Sequence, residues 1–270
     1  MTVLLKRIIF TLLYDDGAFV LSRNFKLQKV GDLTWLNINY NFSSVAYHID
    51  ELVVLDVTRK NRNIDRFCQA LSELSRQVFI PIAAGGGITS LTDAQKLLRS
   101  GADKLVINSA LFEQPSLVKK LADQFGQQCI VGSVDFSKQL NSEYKVYIKN
   151  GSTVVNDYKE TITNLINEKM LGEVYLNSID QDGTGNGYDF GLLNIFPELT
   201  VPIVIAGGVG NAKHFEAGLK NQKINAVATA HLFNFIGDGL KQSRDYLKER
   251  GFELASWEVP PSNQNSNYNA

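Results

Sequence analysis

This 270-residue chain lacks a charge of one sign, a long apolar run and a cysteine framework, and each absence removes a class of function. Lys and Arg number 27 against 28 Asp and Glu, leaving a net charge of −1. Neither nucleic acid nor an anionic membrane surface is therefore an expected partner. No apolar stretch approaches the roughly 18 residues that a bilayer span needs. The N-terminus has no long apolar segment followed by a small-residue cleavage site, so a soluble cytoplasmic protein is expected. The only two cysteines, Cys68 and Cys129, have no CxxC spacing and no evident His partner. Buried packing is the expected use for them, in place of a disulfide or a thiolate site. What is present is 44% hydrophobic residues, enough for a sizeable core.

Short β-branched runs alternate with stretches of helical periodicity. The strand candidates are residues 7–13, 51–57, 80–85, 104–109, 130–136, 173–179, 201–207 and 226–233. Most are apolar throughout, which marks strands covered on both faces, as in a parallel sheet. Segments such as FCQALSELSRQ, LTDAQKLLRSGAD, SLVKKLADQFG and GLKQSRDYLKERG carry apolar residues three and four apart, and several end at glycine. Eight strands, each followed by a helix-sized segment, specify a (β/α)8 TIM barrel, with a doubly wound open sheet as the alternative. QLNSEYKVYIKNGSTVV (139–155) reads as a β-hairpin with a KNG turn, inserted after the fifth strand. Residues 33–48 read as a weak helix, too rich in Asn, Ser and aromatics. The barrel is expected to occupy residues 1–257. The tail from Glu258, with little apolar content, is expected to be disordered.

A repeat favours closure. IPIAAGGGI (80–88) aligns without gaps on VPIVIAGGV (201–209), and Pro202 minus Pro81 gives an offset of 121. INSALFE meets ATAHLFN at the same offset, so the chain reads as two half-barrels.

In a barrel, chemistry sits on the loops that follow the strands. Gly85, Gly86 and Gly87 end the third strand; Gly207, Gly208 and Gly210 end the seventh. Glycines there let backbone N–H groups approach an anion, or else simply permit tight turns. Two symmetric glycine loops point to one phosphate per half-barrel, with Asn108-Ser109 and Ala230-His231 beside them. SIDQDGTGNGYD (178–189) is the most specific stretch, with three acids and three glycines after the sixth strand. It resembles part of a calcium loop but lacks the bidentate Glu such a loop needs.

KRIIFTLLYDDG, IDELVVLDVT, AAGGGI, GADKLVIN, GSVDFSK, GEVYLNSIDQDGTGNGYD and IAGGVG together resemble the cyclase subunit of imidazole glycerol phosphate synthase. The resemblance runs over essentially residues 4 to 250. It implies a barrel that docks a separate glutaminase as a heterodimer, with no cofactor or metal. Ammonia crosses the barrel to a bis-phosphorylated ribulosyl carboxamide, yielding imidazole glycerol phosphate and an aminoimidazole carboxamide ribotide in histidine biosynthesis. Carried over by position, Gly86, Gly87, Asn108 and Ser109 hold one phosphate. Asp182, Gly183, Gly207, Gly208 and Ala230 hold the other, beside His231, which stands where a small hydroxyl residue is expected. Arg7, Glu51, Lys104 and Glu173, at the starts of four strands, form the ammonia gate, and Asp103 faces the glutaminase. Without the resemblance, those four charges read equally as a salt-bridge layer closing the barrel floor.

Asp135 matches one of the family's two acid/base aspartates; the other position holds Leu13. The repeat exposes the same asymmetry, since Asp135 minus Leu13 is 122, near the repeat offset of 121. The family's substrate-closing lysine is replaced by Leu21. A positioned acid or base contributes about 10²- to 10⁴-fold, roughly 3 to 5 kcal/mol of barrier, and leucine supplies none of it. Asp15 shares Leu13's strand parity and is a substitute only if the loop bends back. The expectation is a diverged paralogue that delivers ammonia to a different acceptor. Relatives of this kind occur in surface-polysaccharide (lipopolysaccharide, O-antigen) gene clusters, where an acetamido sugar becomes an acetamidino sugar with a sugar amidotransferase. The alternatives are an orthodox histidine-pathway cyclase, a non-catalytic scaffold that activates the glutaminase, and, last, the pathway's isomerase barrel.

Overall fold

Eight of the strand segments pair, all in parallel, into a closed cylinder in a computed structural model that describes residues 5–257 except 41, 232–234 and 236. In chain order the strands are β1 (Arg7–Asp15), β2 (Ala18–Arg23), β3 (Lys26–Gly31), β4 (Glu51–Asp56), β5 (Ile82–Gly85), β6 (Lys104–Ile107), β7 (Ile130–Lys138), β8 (Tyr144–Ile148), β9 (Thr153–Val155), β10 (Glu173–Ser178), β11 (Ile203–Ala206) and β12 (Ala226–Thr229). The barrel runs β1-β4-β5-β6-β7-β10-β11-β12 and closes on itself, the last seam pairing Arg7 with Ala226 through Phe10 with Thr229. The expected TIM barrel is therefore correct, and the open sheet is not. The tail from Glu258 and the end of the segment expected as the eighth strand lie outside the described residues.

The helices are α1 (Leu33–Tyr40), α2 (Phe42–Val45), α3 (Ile64–Ser75), α4 (Leu91–Arg99), α5 (Ser109–Glu113), α6 (Pro115–Phe125), α7 (Tyr158–Asn167), α8 (Ala212–Lys220) and α9 (Gly239–Glu249). α1 and α2 are two short pieces where the sequence suggests one weak helix. After β10 there is only a 3-10 turn, Phe190–Asn194, because the long polar loop takes up much of the connection. The helices bury their apolar faces on the outside of the barrel. Cys68 is part of that layer, and both cysteines are free thiols.

The two halves match closely. α4 and α8 have equal length and are capped alike: the Ser90 hydroxyl accepts from the Asp93 N–H, and the Asn211 side chain accepts from the Lys213 N–H. At the amino ends of β5 and β11, Asp103 accepts from the Ile82 N–H at 2.8 Å and Asn225 from the Ile203 N–H at 3.0 Å. Inside the cylinder Ile9, Val53 and Val106 correspond to Val131, Tyr175 and Ala228, again 122 residues on. The hairpin after β7 has its expected KNG turn, with Lys149, Asn150 and Gly151 all at positive φ. The first half carries its own counterpart, β2 and β3, which the sequence reading missed.

Candidate active site

Where the barrel strands end, a cavity of about 660 Å³ opens, in the range of small-molecule sites. Alternation along each strand decides what faces it. From β7 Ser133 and Asp135 point inward while Val134 and Phe136 pack outward; from β1 Thr11 and Leu13 point inward while Leu12 and Tyr14 pack outward. Thr11 and Ser133, like Leu13 and Asp135, stand 122 residues apart, one more than the offset of the glycine blocks, and share the inward face of the first strand of each half. The leucine thus occupies the position twofold-related to the carboxylate.

Asp135 is held rigidly. One oxygen accepts from Asn177 Nδ2 at 2.9 Å and the other from Asn108 Nδ2 at 3.0 Å. Burial pushes its pKa up to about 6, against the moderating Asn177 hydrogen bond and with the nearby Asp182 charge adding to the rise. A carboxyl near 6 can both take and give a proton close to neutral pH. The opposite wall is apolar: Leu13 is 9% exposed and stands beside Leu55, Leu27 and Phe25. Asp15 does not substitute. β1 continues regularly to it, pairing Asp15 with Ala18, so the loop never bends back and Asp15 does not line the cavity. Leu21 lies in β2 opposite Gln28 and packs against the outer core, away from the mouth.

The two expected anion sites differ. Gly86, Gly87, Asn108 and Ser109 line the large cavity together. Gly86 has φ +111, and a Cβ there would collide with the Asp56 backbone, so glycine is required. The Asn108 amide also donates to the Ser133 carbonyl at 3.0 Å, so its side chain orients Asp135 and braces the strand ends. Gly183, Gly207, Gly208 and His231 instead surround a small void of about 30 Å³, with Asp182 and Ala230 at its boundary with the large cavity. Burial raises the Asp182 pKa and lowers that of His231.

The acids of the 178–189 loop act as staples. Asp180 accepts from the Lys138 N–H at 2.6 Å and from the Ser137 hydroxyl at 3.1 Å. Asp182 accepts from the Ser22 hydroxyl at 2.5 Å and the Phe25 N–H at 3.0 Å, and Asp189 accepts from the Tyr144 hydroxyl at 2.9 Å. One loop thereby ties both hairpins to the mouth. Among the described residues no cluster of potential ligands could hold a metal ion.

At the opposite end Arg7, Glu51, Lys104 and Glu173 form a closed ring. Glu51 accepts from Arg7 at 2.8 Å and from Lys104 at 2.8 Å; Glu173 accepts from Lys104 at 3.4 Å and also pairs with Arg7. Both glutamates are buried, and burial raises the Glu51 pKa against its two cations. Asp103 is exposed on the same rim. Leu5, Phe79 and Trp257 also stand exposed on this face, at 46%, 51% and 39%.

Several cavity residues escaped sequence reading. Asp56, an acid at the carboxyl end of β4, was detectable by the barrel rule alone. Arg59, Arg62 and Lys149 come from loops whose paths no periodicity reveals.

A model described as "Histidine biosynthesis protein" matches residues 7–237. A Parasynechococcus marenigrum protein named "Putative imidazole glycerol phosphate synthase subunit hisF2" is 46% identical over 93% of this chain and 94% of its own length. Proteins named "Imidazole glycerol phosphate synthase subunit HisF" are 33% identical in Clostridium botulinum, covering 92% of this chain and 98% of the relative, and 35% identical in Dictyoglomus thermophilum, covering 75% and 80%.

Proposed function

The chain belongs to the histidine biosynthesis protein family and, within it, to the imidazole glycerol phosphate synthase HisF subunits; from that premise we propose that it is the synthase subunit of a glutamine amidotransferase complex, diverged in its acceptor. Ammonia released by a glutaminase enters at the charged ring, and the aromatic rim with Asp103 seats that partner. Above the ring, Ile9, Ala83, Val131 and Ala228 belong to an apolar cluster that neutral ammonia crosses more readily than ammonium. The hydroxyls of Thr11 and Tyr175, 3.1 Å apart, mark the entry to the large cavity. There Asp135 is the acid/base group, set by burial to work near pH 6.

The observation carrying the divergence is Leu13 at the position twofold-related to Asp135. Closing an imidazole ring on a bis-phosphorylated chain uses two carboxylates in the family, at the ends of the first and fifth barrel strands, and here the first of those positions holds leucine. The acceptor we favour is an acetamido sugar of surface-polysaccharide biosynthesis, converted to an acetamidino sugar with an ATP-using sugar amidotransferase. Expression in a histidine auxotroph lacking the cyclase subunit tests the reading: no growth is expected without histidine, and rescue would establish the orthodox cyclase. Asp135→Asn separates either enzyme from a scaffold, because a pure ammonia conduit keeps full coupled activity. Soluble cytoplasmic function is consistent with this reading, and among the described residues no helix is long and apolar enough to cross a membrane.

A further inference from the structure

We propose that the acceptor carries a single anionic group, bound beside Gly87 and Ser109 by Arg62 and Lys149, because the chain's own first hairpin fills the second anion site. The inference rests on the mouth being the acceptor site and narrows what the acceptor can be.

The hairpin tip is fastened over the second site by five hydrogen bonds from Ser22, Asn24 and Phe25. The Ser22 hydroxyl and the Phe25 N–H both donate to the Asp182 carboxylate, the Asn24 N–H donates to the Asp182 carbonyl at 3.0 Å, and the Asn24 amide donates to the Ile179 and Asp180 carbonyls at 3.0 and 2.9 Å. The Ser22 carbonyl and Arg23 Cα lie so close to Gly183 that a Cβ there would have no room. The remaining void of about 30 Å³ has room for roughly two waters, not a phosphate ester. Among the described residues no Lys or Arg side chain lines this void, whereas Arg59, Arg62 and Lys149 line the large cavity.

The first site is built the other way. Arg62 crosses from its ion pair with Asp56 at 3.3 Å to place its Nη1 edge against Gly87. The Lys149 N–H donates to the Ser109 hydroxyl at 3.2 Å, and its ammonium pairs with Glu113 at 2.6 Å at the same cavity edge. Arg59 also lines this cavity and donates to the Phe25 carbonyl. An incoming phosphate finds backbone amides and at least two cations. Beyond it the ligand meets Leu13, Leu27, Leu55 and Phe25, which suit a neutral, partly apolar body such as an acylated sugar.

The test is calorimetric titration of the full chain with ribose 5-phosphate and with ribulose 1,5-bisphosphate, with ³¹P NMR counting bound phosphate groups. One bound phosphate group per chain is expected, and the second phosphate should change affinity by less than about threefold. Arg62→Gln should weaken both ligands about tenfold or more, and Lys149→Gln, on an exposed turn, should weaken them severalfold without affecting folding. Two bound phosphate groups per chain, a bisphosphate bound about a hundredfold more tightly, or no saturable binding of either ligand would each overturn the proposal. A failure to couple with a glutaminase would sink the functional reading and leave this stoichiometry standing.

Discussion

The two half-barrels share strand order, helix caps and a hairpin after their first strand, yet at the mouth they are opposites. The β7 half presents a half-buried, hydrogen-bonded carboxylate, while the β1 half presents leucine at the equivalent place. The glycine loop after β5 borders an open cavity with cations; the equivalent loop after β11 borders a void plugged by the β2–β3 tip. At the floor the imbalance lies in the cations: Glu51 and Glu173 stand 122 residues apart, but Arg7 and Lys104 both come from the first half. The difference teaches that twofold symmetry survives where it serves packing and lapses where a ligand is handled.

The sharpest way to break the comparison is to swap chemistry between the halves. Asp135→Asn should lower acceptor turnover by about 10²- to 10⁴-fold, while Leu13→Asn should change it by less than about tenfold; steady-state rates with a competent acceptor decide this. Equal losses at both positions would show that the mouth is still functionally symmetric. The floor should answer in stability. Removing one buried partner, as in Glu173→Ala, leaves the Arg7 and Lys104 charges short of a counterion and should cost about 3–5 kcal/mol in urea unfolding.

The pH dependence sharpens the same contrast. The folded state holds the Asp135 proton more tightly than the unfolded chain, so this group's contribution to stability falls as pH rises from about 4 to about 6 and then levels off. Asp135→Asn lacks that fall. Its stability relative to the parent should therefore increase over that window, by at most about 3 kcal/mol, in denaturation curves taken at several pH values. Leu13→Asn should show no such window. The smallest effect belongs to the rim: Phe79→Ala should leave folding within about 0.5 kcal/mol and weaken glutaminase binding about tenfold, as read by titration with the partner.

Much of the barrel was legible in the sequence because covered parallel strands are apolar throughout and the 121-residue repeat implies closure. The second hairpin was legible because KNG supplies three residues that accept positive φ. The first was not, because its turn is made by Asn24 and Phe25 at φ +49 and +61, and no propensity assigns phenylalanine to that region. The connection after β10 failed for a related reason: its loop is committed to holding hairpins remote in sequence. At the site, Asp135 and the vacated Leu13 position were readable from strand parity and the repeat. Arg62 and Lys149 were not, since they reach the mouth through loops that local pattern does not trace.

The most direct test gives the purified protein ammonium salt and the bis-phosphorylated ribulosyl carboxamide, beside a histidine-pathway cyclase subunit under the same conditions. A mouth with leucine opposite Asp135 and one open anion site should turn that substrate over at least about a hundredfold more slowly. A comparable rate would mean that both halves still work together and that the account is wrong.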